Sequence, residues 1–346
     1  MKAVRFHAPG ASLSVDEVSD PVPGPQDVVV RVMACGVCAS DLHFIDGEVP
    51  LPAPAPLTLG HEPSGVIEAA GSEVPVWREG DRVSLFAGKP CLACRPCASG
   101  LIEDCRDPKV MGAHYDGAWA EYVVVPWFAL AALPDAVPFE HGAIACDAVS
   151  TPYAALVDRA ALRPGERVGV WGIGGLGTHA VQIARLSGAG FVVAVDPIQA
   201  ARERATALGA DLVLDPNADD VPNAIREASG GGLDVAVDLI GRTAVLRQAT
   251  MSMARGGRIV LVGQSWEPAD PGPILALSFL GIGLLGHLGY RKHHLERVLA
   301  LIEAGRLDLS ASVSGTLPLD RAADAVDRLR TKVGDPVRLL LTPAAS

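Results

Sequence analysis

Four thiols occur within fifteen residues, at Cys91, Cys94, Cys97 and Cys105. Zn²⁺ takes four soft donors at the corners of a small tetrahedron, so Cys-x2-Cys-x2-Cys-x7-Cys predicts a structural zinc site. Four thiolates leave no open position, so such a site organises a lobe and does no chemistry. The competing reading is a disulfide pair, which a chain kept in a reducing compartment would not form. A second set of groups is dispersed: Cys38-Ala39-Ser40-Asp41-Leu42-His43, Gly60-His61-Glu62 and Cys146-Asp147. Catalytic zinc uses three protein ligands and keeps a fourth position for water or substrate. Cys38, His61 and one group near position 147 would supply three. Spacing alone leaves the alternative open, because a buried thiol and a satisfied core histidine are commoner than ligands.

A third constellation is the run Gly172-Ile173-Gly174-Gly175-Leu176-Gly177. It follows a predicted strand and opens a predicted helix. Gly172 suits the tight turn, Gly174 lets backbone approach a pyrophosphate, and Gly177 lets helix pack on strand. The N–H groups at the helix N-terminus then face the phosphates. Asp196 ends the next predicted strand, 19 residues beyond Gly177, where an acid accepts hydrogen bonds from the adenine ribose. A carboxylate there repels a 2′-phosphate, so NAD is favoured over NADP, with the nearby Arg202 as the counterweight.

The elements that must carry these groups fall into two textures. From Met1 to about Cys146 the apolar runs are short and separated by Pro, Gly and Asp, as in Val28 to Val32, Gly65 to Ala69, Asp81 to Phe86 and Ala120 to Val125. That pattern predicts a mainly antiparallel β domain. From Gly165 onward strands alternate with helices. Arg167 to Trp171, Phe191 to Val195, Leu212 to Leu214, Asp234 to Leu239 and Arg258 to Val262 are the expected strands of a doubly wound parallel sheet. A helix through Leu295, Val298, Leu299 and Ile302 follows, then one more helix and a strand over Val337 to Leu341. Pattern alone does not assign this last part to either domain.

With 346 residues the chain suits two domains, and its 29 Lys plus Arg against 40 Asp plus Glu give a net charge of −11. No basic run with interleaved aromatics tracks a phosphate backbone, so neither nucleic acid nor an anionic membrane is an expected partner. The stretch from Pro271 to Tyr290 has no charged side chain, yet its glycines and prolines fit buried strands and turns better than a membrane span. The first residues lack the apolar core of a secretory signal, so a cytoplasmic location is expected.

These motifs together resemble the zinc-dependent medium-chain alcohol dehydrogenases over nearly the whole chain. The resemblance rests on Gly36-Val37-Cys38-Ala39-Ser40-Asp41, Gly60-His61-Glu62, the four-cysteine lobe and Gly172 to Gly177. It implies an α/β protein with a GroES-like β-rich catalytic domain (1–147, with a zinc lobe at 88–106), a Rossmann domain (148–287) and a return segment (288–346) that completes the first. Cys38 and His61 match catalytic zinc ligands. Thr151-Pro152-Tyr153 points to Asp147 as the third, as in bacterial members, and Glu62 matches a residue that fills or shares the fourth position. Cys146 is then a buried structural thiol. Asp41 matches an acceptor behind the ligand imidazole, Ser40 the hydroxyl that contacts the alcohol, and His43 a base that passes its proton to water. Arg338 matches an arginine that approaches the cofactor pyrophosphate. Phe86 and Trp119 fall near positions lining the substrate cleft, with core packing as an equal alternative. Ala39 departs from relatives that carry Arg or His there, which removes one phosphate contact.

The implied activity is reversible hydride transfer between a secondary or bulky primary alcohol and NAD, giving the ketone or aldehyde. Two zinc ions per chain and a homodimer or homotetramer are expected with it. The alternatives are a polyol dehydrogenase of the sorbitol type and a zinc- and NADH-binding protein without turnover.

Overall fold

The computed structural model describes residues 1–343. The chain forms two compact units, residues 1–148 with 291–346 and residues 149–290. The last segment therefore returns to the first unit.

A seven-stranded sheet organises the first unit. Its central strand, Asp27–Val37, is eleven residues long, five of them valine. Such residues suit a pleated surface packed on both sides. It pairs antiparallel with Pro63–Ala70 and with Tyr122–Pro126, and Arg338–Thr342 also pairs antiparallel with its end. Val313–Pro318 adds a parallel strand outside Arg338–Thr342. On the other side Arg82–Leu85 and Leu130–Ala132 continue the sheet beyond Pro63–Ala70. Registers place Cys35 opposite Pro63 and Leu339 opposite Val37. Residues at or just past the ends of three strands, near 37, 62 and 338, thus meet at one edge. Val30, Ile67, Leu85, Leu130 and Leu341 are fully or almost fully buried in the core below.

The second unit is a six-stranded, wholly parallel sheet. Its order across is Leu212–Leu214, Phe191–Val195, Arg167–Trp171, Leu233–Asp238, Met253–Leu261 and Gly283–Gly286. The order reverses next to Arg167–Trp171, where doubly wound sheets bind ligands at their carboxyl ends. Val193, Ile225, Leu233, Leu246 and Ile259 join in its core.

The uncharged stretch behaves differently from the buried strands and turns expected of it. Ile274–Leu280 is a helix with no buried residue, and Gly283–Gly286 is an edge strand. Ile274, Leu275, Phe279 and Leu288 are 69 to 80% exposed. An apolar pattern specifies that a segment avoids water but not what it packs against, and in this unit only part of the run, such as Ile282, meets the core. Among the described residues no helix is long and apolar enough to cross a membrane.

Candidate active site and zinc lobe

Cys38 lies at the junction of the central strand and the short helix Ala39–Ile45. Its backbone N–H donates to Asp41 Oδ2 at 2.9 Å, which fixes the turn. The other oxygen of Asp41 lies 3.3 Å from His61 Nδ1. Asp41 is fully buried, and a carboxylate on that side favours the tautomer protonated at Nδ1, with the Nε2 lone pair facing the opposite way. Along that direction stand Ser40 Oγ at 3.3 Å and Asp147 Oδ2 at 3.7 Å. Asp147 comes from the π-helical turn Ala145–Val149, a wider winding often found at functional positions. Cys38 Sγ is 3.6 Å from the same Asp147 oxygen.

One potential ligand atom from each of Cys38, His61, Glu62 and Asp147 lies within 4.8 Å of the others. Tetrahedral zinc, with bonds of about 2.0–2.3 Å, spaces its ligands over about 3.3–3.8 Å. Small inward shifts would therefore close this set around one ion. Glu62 is fully buried, and neither of its carboxylate oxygens makes a hydrogen bond, although Arg338 Nη2 stands 2.9 Å from Oε1. A buried carboxylate calls for a cation; Arg338 supplies one on the Oε1 side, and Oε2 is without a hydrogen bond. Burial pushes Glu62 up to about 8 against the pull of Arg338. Burial also opposes a charge on His61, yet Asp41 and then Asp147 outweigh it and hold the imidazole well above its ordinary range. Asp41 flanks Nδ1 and Asp147 flanks Nε2, and the negative charge on the Nε2 side is what a divalent ion would neutralise.

His43 is one helical turn beyond Ser40 but pairs with Glu48, Nδ1 to Oε2 at 2.5 Å, and so stands apart from the cluster. Sequence reasoning missed Glu48, since a glutamate in a loop carries no spacing signal. Cys146 Sγ donates to the carbonyls of Pro63 and Gly142 at 3.2 and 3.3 Å, and its thiol is pushed well up by burial.

Arg338 and Trp119 have surroundings other than those expected. The guanidinium of Arg338 is buried against Glu62 and the Val37 carbonyl, with the residue only 2% exposed, so it presents no free face to a pyrophosphate. The register of Arg338–Thr342 against the central strand turns it inward. Trp119 is a core residue rather than a cleft wall. It is fully buried, donates Nε1–H to the Gly36 carbonyl at 3.1 Å, and packs so tightly on Gly60 that a Cβ there would collide with the indole. Phe86 lines a cavity of about 250 Å³ beside the lobe, together with Pro90, Leu101, Phe128 and Arg291.

In the lobe, sulfur atoms of Cys91, Cys94, Cys97 and Cys105 also lie within 4.8 Å of one another, and all are free thiols. Backbone N–H groups of Cys94, Arg106 and Asp107 point at the sulfurs of Cys91, Cys94 and Cys105 at 3.3 to 3.5 Å. The N–H of Arg106, with that of Cys97, lowers Cys94 to about 6, while burial lifts Cys97 to about 12. Donors aimed at sulfur stabilise thiolates, the form zinc binds.

The glycine loop of the second unit has the shape of a phosphate cradle. Gly172 takes φ +89°, which only glycine adopts without strain. A Cβ on Gly174 would meet nothing within 4 Å, whereas one on Gly177 would run into the Gly172 carbonyl. The loop is thus open where a phosphate would lie and closed where helix meets strand. Gly175 and Leu176 lead into the helix Gly177–Leu186. Asp196 accepts the N–H groups of Ile173 and Ile198 at 2.7 and 2.8 Å, which ties its carboxylate to this loop.

Residues 24–135 match the family model described as the alcohol dehydrogenase GroES-like domain, and residues 175–304 match that of a zinc-binding dehydrogenase. The chain is 37% identical over 331 residues to an alcohol dehydrogenase of Geobacillus stearothermophilus, covering 95% of this chain and 96% of the relative. It is 32% identical over 340 residues to an NAD-dependent alcohol dehydrogenase of Sulfurisphaera tokodaii, with 95% and 96% covered. It also superimposes on the crystal structure of 2R,3R-butanediol dehydrogenase from Bacillus subtilis with a TM-score of 0.89, 28% identity and 99% of each chain covered.

Proposed function

The chain belongs to the zinc-dependent alcohol dehydrogenases, and from that premise we propose that it moves a hydride reversibly between a secondary or bulky primary alcohol and NAD. The observation that carries this reading is the convergence of Cys38, His61 and Asp147 from three distant segments, with Asp41 behind the imidazole. Their thiolate, imidazole and carboxylate would hold zinc, and Glu62 would share or vacate the fourth position. When bound, zinc polarises the oxygen of an alcohol or carbonyl, and the nicotinamide supplies or accepts the hydride.

The chain's own residues do the rest. Asp41 keeps the proton of His61 on Nδ1, so that Nε2 stays a donor to the metal. Ser40 Oγ stands where it can take the alcohol proton and return it in the reverse direction. His43, one turn further along the helix with its Nδ1 on Glu48, would pass that proton on to water. Arg338 holds the Glu62 carboxylate in its buried position. In the second unit, Gly174 and the N-terminus of the helix Gly177–Leu186 would hold the pyrophosphate, and Asp196 the adenine ribose.

The four-cysteine lobe suits a compartment where thiols stay reduced, which supports a cytoplasmic enzyme. The partner for the bare helix Ile274–Leu280 and the edge strand Gly283–Gly286 is a second copy of this chain, since an unpaired edge joins its symmetry mate and covers both apolar faces at once.

The test is NADH formation from a panel of primary, secondary, aromatic and polyhydroxy alcohols. Turnover of secondary alcohols, abolished by Cys38→Ala, is the expected outcome. Turnover only of polyols would shift the reading to a polyol dehydrogenase, and NADH binding with no turnover of any member would reduce it to a binding protein.

A further inference from the structure

Strands Phe191–Val195 and Leu212–Leu214 run parallel with Val195 opposite Leu214. The residues that follow, Asp196 and Asp215, therefore emerge side by side at the carboxyl edge of the sheet. Arg202, from the helix Gln199–Ala207, reaches into the space between them. Its Nη1 donates to the Asp196 carbonyl at 2.7 Å and lies 3.1 Å from Asp215 Oδ2. Side-chain exposures of 19% for Arg202 and 23% for Asp215 mark a partly desolvated pair rather than a loose surface contact. Asp215 is in turn held by its own loop, where its Oδ1 accepts the Asn217 N–H at 2.9 Å and its N–H donates to Asp219 Oδ2 at 2.7 Å.

We propose that Asp215 is a specificity-determining positioning residue, which selects NAD by holding Arg202 away from the ribose 2′ position. This inference rests on the reading of the glycine loop and Asp196 as a dinucleotide site. A guanidinium beside a 2′-phosphate is the usual means of accepting NADP, because its planar donors match the phosphate oxygens in pairs. Here that cation is present at the strand end, but a carbonyl and a carboxylate already engage it. Discrimination then has two parts. The carboxylate of Asp196 repels the phosphate, and Asp215 withholds the charge of Arg202, while the neighbouring Arg204 is engaged by the Ile173 carbonyl at 2.7 Å and by Thr178 Oγ1 at 3.1 Å. Replacing Asp196 alone would leave the second part in force.

Asp215→Asn tests this with little disturbance, since the amide oxygen can still accept the Asn217 N–H while the charge is lost. Isothermal titration of the full-length protein with 2′,5′-ADP and with 5′-AMP reads recognition of the 2′-phosphate without any turnover. The proteins compared are Asp196→Ser, Asp196→Ser with Asp215→Asn, and the latter with Arg202→Ala. The expected result is a rise of about tenfold or more in affinity for 2′,5′-ADP relative to 5′-AMP when Asp215→Asn is added, the size of one charge-assisted hydrogen bond, and its loss when Arg202 is removed. An unchanged ratio overturns the proposal. So does a gain that survives Arg202→Ala, which would mean that Asp215 acts only by its own repulsion. Should Asp196→Ser not fold, Asp215→Asn with and without Arg202→Ala gives the same comparison in the parent chain. NADH binding to the unmodified protein is titrated alongside, and its failure would sink the dinucleotide site itself rather than the role of Asp215.

Discussion

Replacing Arg338 by Met should destabilise the metal-stripped protein by an amount that grows with pH. The guanidinium is 2% exposed and Glu62 fully buried, with Nη2 and Oε1 2.9 Å apart. Burial has raised Glu62 to about 8 even with Arg338 beside it. Near pH 7 the carboxyl is therefore mostly protonated, and removing Arg338 costs only its contact and packing, about 1–3 kcal/mol. Above pH 8 the parent protein ionises Glu62 and gains the attraction of Arg338, whereas the variant must still keep the acid neutral or bury a bare charge. A folded-state pKa raised above the unfolded value means stability lost as pH rises toward that folded value. In the variant this loss continues past pH 8, at about 1.4 kcal/mol per pH unit, until it approaches the 3–5 kcal/mol typical of a broken buried pair. The assay is urea unfolding of both proteins, dialysed against a chelator, at pH 7 and at pH 9.5. A penalty of the same size at both values would refute the reasoning, because it would mean that Glu62 does not titrate against Arg338 at all.

Asp41→Asn should weaken zinc binding at the Cys38 site by about 10- to 100-fold, as loss of a carboxylate behind a ligand histidine usually does, while the lobe zinc stays; competition with a chromophoric chelator would show one of two ions released early. Cys97→Ser should leave the Cys38 site occupied but loosen the lobe, giving one zinc per chain and faster proteolysis between about residues 88 and 106. In the second unit, Arg167 lies 2.8 Å from Asp234 and lowers its pKa. Burial works against the charge of Glu166, yet Arg258, 2.7 Å away, outweighs it and lowers that pKa too. Depressed folded-state values mean stability that is complete above the unfolded carboxylate range, about pH 4, and lost as pH falls through the folded values. Glu166→Gln should therefore flatten the fall in melting temperature between about pH 5 and 3, and an unchanged slope would remove Glu166 from the account.

Everything confined to one loop could be read from residue types. The four cysteines, the spacing of Gly172, Gly174 and Gly177, and Asp196 one strand later are local patterns, since each ligand or turn is fixed by chain geometry over a few residues. The alternation of strand and helix after Gly165 likewise announced a parallel sheet, because the apolar period reports which faces are buried. Cys38, His61 and a group near 147 can be nominated from residue type, but only the resemblance selects Asp147; sheet register brings Cys38 and His61 together, and the helical segment packed on that sheet adds Asp147. Cys35 opposite Pro63 and Val37 opposite Leu339 carry residues far apart in the chain to one edge. The same register turned Arg338 inward to Glu62, and the close approach at Gly60 made Trp119 a core residue. Likewise, the uncharged run 271–290 was legible as apolar, but its exposure was not, nor was the grip of Asp215 on Arg202. Hydrophobicity and charge are properties of a residue, whereas burial and partnership belong to pairs of segments, and only the folded chain chooses the pairs.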